Sequence, residues 1–359
     1  MFKTFEKYLI KLYLKKVLTV SLIFLTLVFI LSVFDEISFF KNLEINFFFP
    51  FLITLLNTPS TLFEIFPFIF LISSQFFFLE LINKNELEVL KIHGLTNLRI
   101  IKLIFLTSFV LGLLLVFFYY NFSAKLKFLY LDLKNAYSTD NKYLAVVTEN
   151  GLWIKDEIDE KIYITNAYRI KDNYLLDVSI SEFDGEFNLI KIIESPKVNI
   201  LNFEWLVFKP YISTNNKTTQ LSENITLSTH FNIKKIKGLF RNMSSLNLLE
   251  LMKLNDDYKS LGYSTVEVKS HLNKLFSFPF YVAIMALSSS IIMFNIKRNK
   301  PMIFHVILGI FLSVLIYYFY YLFNLLGKTD KIPLLASIWL PLLILTFIIF
   351  IGLVRLNEK

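Results

Sequence analysis

The 359-residue chain contains no cysteine, which excludes disulfide bonds, thiolate metal sites and cysteine nucleophiles. Charged residues are also scarce, at 18% of the chain, and there are only nine glycines and nine prolines. Apolar residues dominate instead: 55% of the chain is hydrophobic and 40 residues are phenylalanine, and the mean hydropathy is +0.55. This composition excludes a disordered or collagen-like chain, is untypical of a soluble enzyme and predicts a membrane protein.

Long uncharged stretches identify the membrane spans. A helix rises about 1.5 Å per residue, so about 20 apolar residues cross a hydrocarbon core of about 30 Å. We predict six crossings, and an interfacial segment before the second one because no polar turn divides residues 45–79. Asp35 and Glu36 close the first span and are expected to be solvated. The predicted spans are residues 17–34, 59–82, 103–124, 275–296, 301–326 and 332–354.

The lysines and arginines that flank the spans are distributed unevenly. Fourteen lie at one set of span ends and only three, Lys41, Lys328 and Lys331, at the other. Because positively charged loops are retained in the cytoplasm, the richer side is predicted to be cytoplasmic. An even number of spans then places both termini in the cytoplasm and the long segment between the third and fourth spans outside it.

The segment between the third and fourth spans has the pattern of a β domain. Its runs rich in Ile, Val, Tyr and Phe alternate with turn formers such as Asp184-Gly185 and Ser195-Pro196. Strands spaced about 8–12 residues apart predict an antiparallel sandwich or jelly roll. The predicted strands are 143–147, 161–170, 174–180, 187–193, 198–203 and 205–208, followed by a helix over 244–261 with Ser244 or Ser245 as its N-cap.

The predicted architecture is an α-helical membrane protein with six transmembrane helices, three on each side of an inserted periplasmic all-β domain that resembles a jelly roll. The N-terminal transmembrane half covers residues 1–124, the β domain covers residues 125–270 and the C-terminal transmembrane half covers residues 271–359.

No residue is predicted to be catalytic or to bind a metal or cofactor. The four histidines, His93, His230, His271 and His305, lie in four separate segments, whereas a metal site needs three or four converging ligands. The Gly-Lys-Thr tripeptide at 327–329 imitates the end of a phosphate-binding loop, but a leucine stands where that loop requires its first glycine. ATP hydrolysis is therefore not encoded in this chain.

The segment 84–94, between the second and third spans, is predicted to be an amphipathic helix of about three turns on the cytoplasmic side. Leu87, Val89 and Leu90 give it an apolar surface, acidic residues lie in its first turn, and Gly94 is placed to end it. Such a helix can dock into a groove of a partner protein. It can equally lie flat on the membrane surface, which the neighbouring lysines would also suit.

Several short motifs occur in a defined order along the chain: Pro59, Pro67, Asn85-Glu86-Leu87, Gly94, Gly151-Leu152-Trp153-Ile154-Lys155-Asp156, Trp205-Leu206, Lys274, Pro279, Gly309, Ile332-Pro333 and Leu340-Pro341. Together with the order of spans and β domain, these motifs resemble the LptF/LptG permeases of the lipopolysaccharide exporter over essentially the whole chain. The stretch at 151–156 resembles LptG more than LptF.

The resemblance implies a transport subunit rather than an enzyme. In that family two permeases form a heterodimer on a cytoplasmic LptB-type ATPase dimer, which uses the ATP, and an acidic residue of the coupling helix contacts the ATPase. Glu86 matches that acidic residue, and Leu87, Leu90 and Gly94 complete the expected ATPase-coupling set. No cofactor is expected to be bound by this chain itself.

The resemblance also implies the cargo and its route. Lipopolysaccharide would leave the outer leaflet of the inner membrane of a Gram-negative bacterium, enter an apolar cavity and pass through the β domain to an LptC-type periplasmic partner, toward the outer membrane. Covering its acyl chains is essential, because each exposed CH₂ group costs about 0.8 kcal/mol. The implied localisation is the inner membrane, and no nucleic-acid partner is expected.

The expected lipid contacts differ from the family pattern at the outer end of the first span. LptG-type permeases tend to place several lysines there, whereas here only Lys41 follows the span. Lys125, Lys127 and Lys134, at the base of the predicted β domain, are candidates to bind lipid phosphates instead, since lysine binds phosphate as a point charge. The same lysines can equally be ordinary solvated surface residues.

Other classes of function are compatible with parts of the sequence. A permease for another lipid or for lipoproteins would share nearly all of these features. A membrane-anchored periplasmic interaction protein without transport would need no cytoplasmic coupling helix. A lipid-modifying enzyme would need polar residues that converge at one membrane face, which the scattered histidines do not provide.

Overall fold

The computed structural model describes residues 4–41, 43, 45–137, 152–171, 173–214, 217–220, 223–233, 235–236, 242–260, 263–294 and 301–357. Long helices precede and follow a β-sheet. The α-helices are α1 (Thr4–Phe40), α2 (Phe49–Asn83), α3 (Glu86–Ile92), α4 (Asn97–Leu114), α5 (Asn121–Ala136), α6 (Leu248–Ser260), α7 (Val266–Phe294), α8 (Met302–Lys328) and α9 (Leu334–Asn357), with a π-helical segment at Leu115–Tyr120 and a 3₁₀ turn at Met243–Ser245.

Within the described ranges, six helical segments are long and apolar enough to cross a membrane, so the predicted number of spans is confirmed. They are α1, α2, the continuous helix Asn97–Ala136 that joins α4 to α5, α7, α8 and α9. Most extend beyond the apolar stretches that predict them. For example, α1 begins at Thr4 rather than at residue 17, because the lysine-rich segment before the span continues the same helix.

The second span is one uninterrupted helix, which differs from the predicted interfacial segment followed by a crossing at 59–82. α2 contains both Pro59 and Pro67. A proline removes a backbone donor, and a helix in lipid needs other groups to satisfy the carbonyls left open. In the turns before Pro59, the hydroxyls of Thr54 and Thr58 donate 2.7 Å hydrogen bonds to the carbonyls of Pro50 and Thr54, which adds bonds to the helix although neither reaches the Leu55 carbonyl that Pro59 leaves without its usual donor.

α2 and α7 form the centre of the transmembrane region. Most residues in their apolar segments are buried, whereas the apolar segments of α1, α8 and α9 mostly face outward. α2 contacts α1, α7 and α8, and α7 also contacts α4 and α9. The outward faces carry large apolar side chains, which suits helix surfaces that meet lipid or another membrane subunit.

The chain between the third and fourth spans forms an antiparallel sheet, so the predicted all-β insertion is confirmed. Alternating burial along β1 and β3 leaves one face of the sheet apolar and packed. Its strands are β1 (Leu152–Ile158), β2 (Lys161–Lys171), β3 (Tyr174–Phe183), β4 (Leu189–Asn199), β5 (Glu204–Phe208), β6 (Tyr211–Thr214), β7 (Lys217–Gln220) and β8 (Ile225–Ser228).

The strands pair in the order β1-β2-β3-β4-β5-β8, with a second branch at β4. Residues 197–199 of β4 pair with β5, whereas residues 192–194 pair with β6, which in turn pairs with β7. The predicted strand 187–193 is thus the first part of β4, and of the predicted strand 198–203 only residues 198 and 199 are extended, as the end of β4. The predicted strand at 143–147 lies outside the described residues.

The turn predicted at Ser195-Pro196 is wrong, because both residues lie inside β4. Pro196 has no backbone N–H to donate. It sits between the part of β4 that pairs with β6 and the part that pairs with β5, and it has no Cα partner in the register with β3 either. The strand therefore accommodates the proline at the point where its neighbour changes.

The helix after the sheet begins later than predicted. α6 spans Leu248–Ser260, and its start is fixed by Asn247 rather than by Ser244 or Ser245. The Asn247 side chain accepts from the Glu250 backbone N–H at 2.9 Å, and the Glu250 carboxylate accepts from the Asn247 backbone N–H at 3.0 Å. This reciprocal pair is a capping box, which the Asn-x-x-Glu spacing encodes.

The chain divides into two compact units. The first, Met1–Tyr130, Ser244–Leu251 and Val266–Lys359, contains five of the spans and the third as far as Tyr130, while the second, Leu131–Met243 and Met252–Thr265, contains the sheet.

Candidate docking and lipid-binding sites

The predicted coupling helix exists, but it is shorter than the segment 84–94. α3 cannot begin before Glu86 because Asn85 has a left-handed backbone with φ of 56°. The helix ends at Ile92, and Gly94 follows with φ of 84°. The N–H groups of Gly94 and Leu95 donate to the carbonyls of Lys91 and Leu90, at 2.9 and 3.0 Å. Gly94 therefore terminates the helix in a Schellman motif.

The apolar residues of α3 divide between two faces. Leu87 is only 9% exposed, so it packs against the rest of this chain rather than being offered to a partner. Val89 is 51% exposed and Ile92 is 82% exposed. Ile92 was not among the predicted coupling residues, although its spacing of three from Val89 puts both on one helix face. The outward apolar surface of α3 is thus formed by Val89 and Ile92, with Leu90 partly exposed.

Side chains in the N-terminal part of α1 make polar contacts with residues that precede α3 in the sequence, lie within it and follow it. The Tyr8 hydroxyl donates to Oε2 of Glu86 at 2.7 Å. Arg99, near the start of α4, donates to Oε1 of Glu6 at 2.8 and 3.2 Å through Nη2 and Nε. Glu80, near the end of α2, forms ion pairs with Lys16 and with Lys84. Charge and hydrogen bonding therefore join α1 to the residues before, within and after α3.

An apolar cavity of about 700 Å³ opens between α1, α2 and α5. Its volume lies in the range of pockets that hold ligands of drug size, about 300–1,000 Å³. A cavity with an almost entirely hydrocarbon wall suits acyl chains rather than a polar ligand. The lining residues are Leu25, Thr26, Phe29 and Ile30 of α1, Leu55, Leu56, Thr58 and Pro59 of α2, and Phe122 and Leu126 of α5.

Of the four predicted lipid-binding lysines, Lys127 is the one that hydrogen-bonds a residue beside this cavity. It follows the lining residue Leu126 and donates a 2.5 Å hydrogen bond to Asn57, which lies between two other lining residues of α2. Its ammonium group also lies 4.8 Å from the centre of the Tyr130 ring, within the range of a cation–π contact. A cationic group therefore stands beside the apolar cavity.

The other three predicted lysines have different surroundings. Lys41 follows the end of α1 and is exposed, and Lys125 is exposed on α5. Lys134, also on α5, is only 7% exposed, so the alternative of a solvated surface residue does not describe it.

Glu36 is buried, which corrects the expectation that it is solvated with Asp35. Asp35 is exposed, but Glu36 accepts a 2.8 Å hydrogen bond from the Tyr130 hydroxyl, between α1 and α5. Adjacent helix positions point about 100° apart, so two neighbouring acids can meet different environments. The sequence gives no sign of the partner, which is 94 residues away.

In the β domain, Asp156 joins the two ends of the main row of strands. Its Oδ2 accepts from the Thr229 hydroxyl at 2.6 Å and from the His230 backbone N–H at 2.9 Å, and its Oδ1 lies 2.9 Å from Nδ1 of His230. Asp156 is on β1, the first strand of the row, while Thr229 and His230 directly follow β8, the last. The sheet is therefore curled so that its ends meet.

A second buried carboxylate lies in the middle of the sheet. Glu182 of β3 pairs with Lys161 of β2 at 2.8 Å and with Lys191 of β4 at 2.9 Å. Burial would raise the pKa of Glu182, but the hydrogen bonds and charges of the two lysines outweigh it and hold the pKa below its usual value. Among the described residues, no group of His, Asp and Glu side chains converges as metal ligands would.

The chain matches the protein family described as lipopolysaccharide export system permease LptF/LptG over residues 7–355, essentially its whole length. That description joins LptF and LptG, so the match does not distinguish between them. Comparison with curated proteins finds no match.

Proposed function

Because the chain belongs to the LptF/LptG family of lipopolysaccharide export permeases, we propose that it is one of two permease subunits of an ABC-type exporter. With its six apolar helices it is a multi-pass protein of the inner membrane. In the proposal it extracts lipopolysaccharide from the outer leaflet of that membrane. A separate LptB-type ATPase dimer supplies the energy, and a second LptF/LptG-type permease completes the cavity.

The observation that carries this proposal is the apolar cavity with Lys127 beside it. Lipopolysaccharide is an amphiphile with acyl chains and an anionic headgroup. An exporter must cover the chains while they leave the bilayer, at about 0.8 kcal/mol for each CH₂ group that would otherwise meet water. The cavity between α1, α2 and α5 offers that cover, and Lys127 offers a positive charge at the lining. The outward apolar faces of α1, α8 and α9 leave surface for a second permease.

α3 is the proposed docking element for the ATPase. Its outward Val89 and Ile92 provide apolar contact area, and Glu86 provides a negative charge at the first position of the helix. In this proposal both termini and α3 lie in the cytoplasm, and the β domain lies in the periplasm, where it passes the lipid to an LptC-type partner.

Affinity purification from the native membrane in mild detergent, with mass spectrometry of bound proteins and lipids, tests the whole proposal. We expect a second six-span permease, an ATPase and lipopolysaccharide to co-purify with the chain. Recovery of a different lipid would point to another lipid exporter. Recovery with soluble periplasmic proteins and no ATPase would contradict the transport function and favour an interaction protein.

Glu86→Lys tests the docking role of α3. Reversing this charge is expected to abolish co-purification of the ATPase, because a like charge then faces the cationic group that would pair with Glu86. Membrane insertion and the second permease should be retained. The matched control is Glu88→Lys, an exposed position on the same helix, which should keep most of the ATPase. Normal recovery of the ATPase with Glu86→Lys would defeat the assignment.

A further inference from the structure

α1 carries two features of the proposed transport cycle on one rigid element. Near its start, Tyr8 contacts Glu86 of α3. Further along, Leu25, Thr26, Phe29 and Ile30 form one wall of the apolar cavity. The helix is continuous between them, and at 1.5 Å per residue the two features are about 30 Å apart. A displacement at one end of such a helix is carried to the other.

The contacts between α1 and the residues around α3 form a polar latch, which we define as the pairs Glu6–Arg99, Tyr8–Glu86 and Lys16–Glu80. Glu80 precedes α3, Glu86 begins it and Arg99 follows it. The latch therefore holds α1 against the whole segment rather than against one point. Two of its pairs are ionic, and only Tyr8–Glu86 reaches α3 itself.

α3 depends on such contacts for its position. A helix of seven residues is not stable in isolation, since it gains too few hydrogen bonds to offset its nucleation. Turns with left-handed residues flank it at Asn85 and Gly94, and of its apolar side chains only Leu87 is buried. Besides Leu87, the Lys91 ammonium group contacts the rest of the chain, 5.8 Å from the centre of the Phe294 ring. The bond from Tyr8 thus acts on a short element with few side chains to fix it.

We propose that Tyr8 is a positioning residue that couples movement of α3 to α1, and through α1 to the wall of the lipid cavity. This inference rests on the proposed function, in which α3 docks an ATPase. Tyr8 occupies one oxygen of Glu86, and a carboxylate accepts several hydrogen bonds. The same Glu86 side chain can therefore contact Tyr8 and a cationic group of the ATPase together, which links the docking surface directly to α1.

Tyr8→Phe tests the proposal in the reconstituted permease–ATPase complex, because it removes the hydroxyl and keeps the ring. We expect the ATPase to co-purify normally and basal ATP hydrolysis to be retained, while the lipopolysaccharide released per ATP falls by about fivefold. Tyr168→Phe, at an exposed position of β2 outside the spans, is the matched control and should export normally. A merely structural role for Tyr8 would lower the yield of complex without changing this ratio.

A chemical cross-link provides a second measurement. The chain has no cysteine, so Tyr8→Cys with Lys84→Cys, a neighbouring position before α3 that leaves Glu86 in place for the ATPase, can be joined specifically by a bismaleimide. Before cross-linking, this double variant should release less lipid per ATP, and cross-linking should restore the ratio because it replaces the lost bond. An unchanged ratio in Tyr8→Phe, or no effect of cross-linking, would overturn the role of Tyr8. Failure of the unmodified chain to bind an ATPase would instead overturn the proposed function, on which the role of Tyr8 rests.

Discussion

At the scale of single residues, the β domain contains a carboxylate whose ionisation should control its stability. Glu182 is only 1% exposed and receives hydrogen bonds from Lys161 and Lys191. Hydrogen bonds to a charged, buried group contribute about 1.5–3 kcal/mol. Because the neighbouring strands supply the two lysines, these bonds also tie β2 and β4 to β3.

Glu182→Gln is expected to lower the free energy of unfolding of the β domain by about 1.5–3 kcal/mol at neutral pH. The pKa of Glu182 is lowered in the folded state, so the ionised carboxylate stabilises the fold above its unfolded pKa of about 4.3. This contribution is lost as the pH falls through the lower, folded pKa. The difference between Glu182→Gln and the unmodified chain should therefore shrink in acid.

Tryptophan fluorescence can measure this in the full chain. The chain has three tryptophans, and in a Trp339→Phe background the remaining Trp153 and Trp205 both lie on strands of the β domain. Urea unfolding would then report that domain. Glu186→Gln, an exposed position between β3 and β4, is the control and should have little effect. A pH-independent difference would argue against the Glu182 mechanism.

At the scale of elements, the packing of α4 against α7 depends on one glycine. A Cβ atom on Gly112 would lie 2.7 Å from the Cα and 3.2 Å from the Cβ of Pro279. Backbone cannot move aside as a flexible side chain can, so the two helices must separate. Small residues are the usual means of such close approach in membranes.

Gly112→Ala is expected to destabilise the transmembrane region by about 1–3 kcal/mol through overpacking. Gly352→Ala is a matched control, since the three atoms nearest to a Cβ there all belong to the Ile291 side chain and none to the backbone, with Cδ1 at 2.8 Å and Cγ2 at 3.2 Å. Loss of helical circular dichroism during titration with a denaturing detergent measures both. If Gly352→Ala proved as destabilising as Gly112→Ala, backbone contact would not be the cause.

The elements themselves were largely predictable from the sequence, because each depends on a local pattern. Apolar runs define the six spans, and Gly94 correctly indicates the end of α3. The errors have local causes too: Pro196 lies inside a strand only because β4 changes partners around it. In contrast, the contacts Tyr8–Glu86 and Tyr130–Glu36 join residues 78 and 94 positions apart. Such pairs depend on how helices pack, which a single sequence does not specify.

The candidate sites divide in the same way, into residues that the sequence indicates and contacts that depend on packing. Glu86 and Lys127 were selected by family resemblance and by charge, whereas neither the Tyr8 contact nor the role of Asp156 in joining β1 to the residues after β8 was predicted. Asp156 lies within the Gly-Leu-Trp-Ile-Lys-Asp motif that carries part of the resemblance. Its buried hydrogen bonds give that motif a physical reason, namely closure of the curled sheet.

At the scale of the whole molecule, the charge distribution makes a definite prediction about orientation. Fourteen lysines and arginines flank the spans on the side of α3 and three on the other side. Retaining positive charge in the cytoplasm should fix α3 inside and the β domain outside. The proposed export function requires this orientation, since ATP is available in the cytoplasm and the proposed route of the lipid leads from the β domain into the periplasm.

Labelling of single cysteines in the otherwise cysteine-free chain tests this orientation. Glu157→Cys on β1 and Lys91→Cys on α3 are both exposed positions outside the spans, so their reactivity with a membrane-impermeant maleimide should depend on access alone. In intact spheroplasts Glu157→Cys should react and Lys91→Cys should not, and after lysis both should react. Reaction of Lys91→Cys in intact spheroplasts would place α3 on the periplasmic face. It could then contact no cytoplasmic ATPase, and the docking role of Glu86 and the coupling role of Tyr8 would fail together.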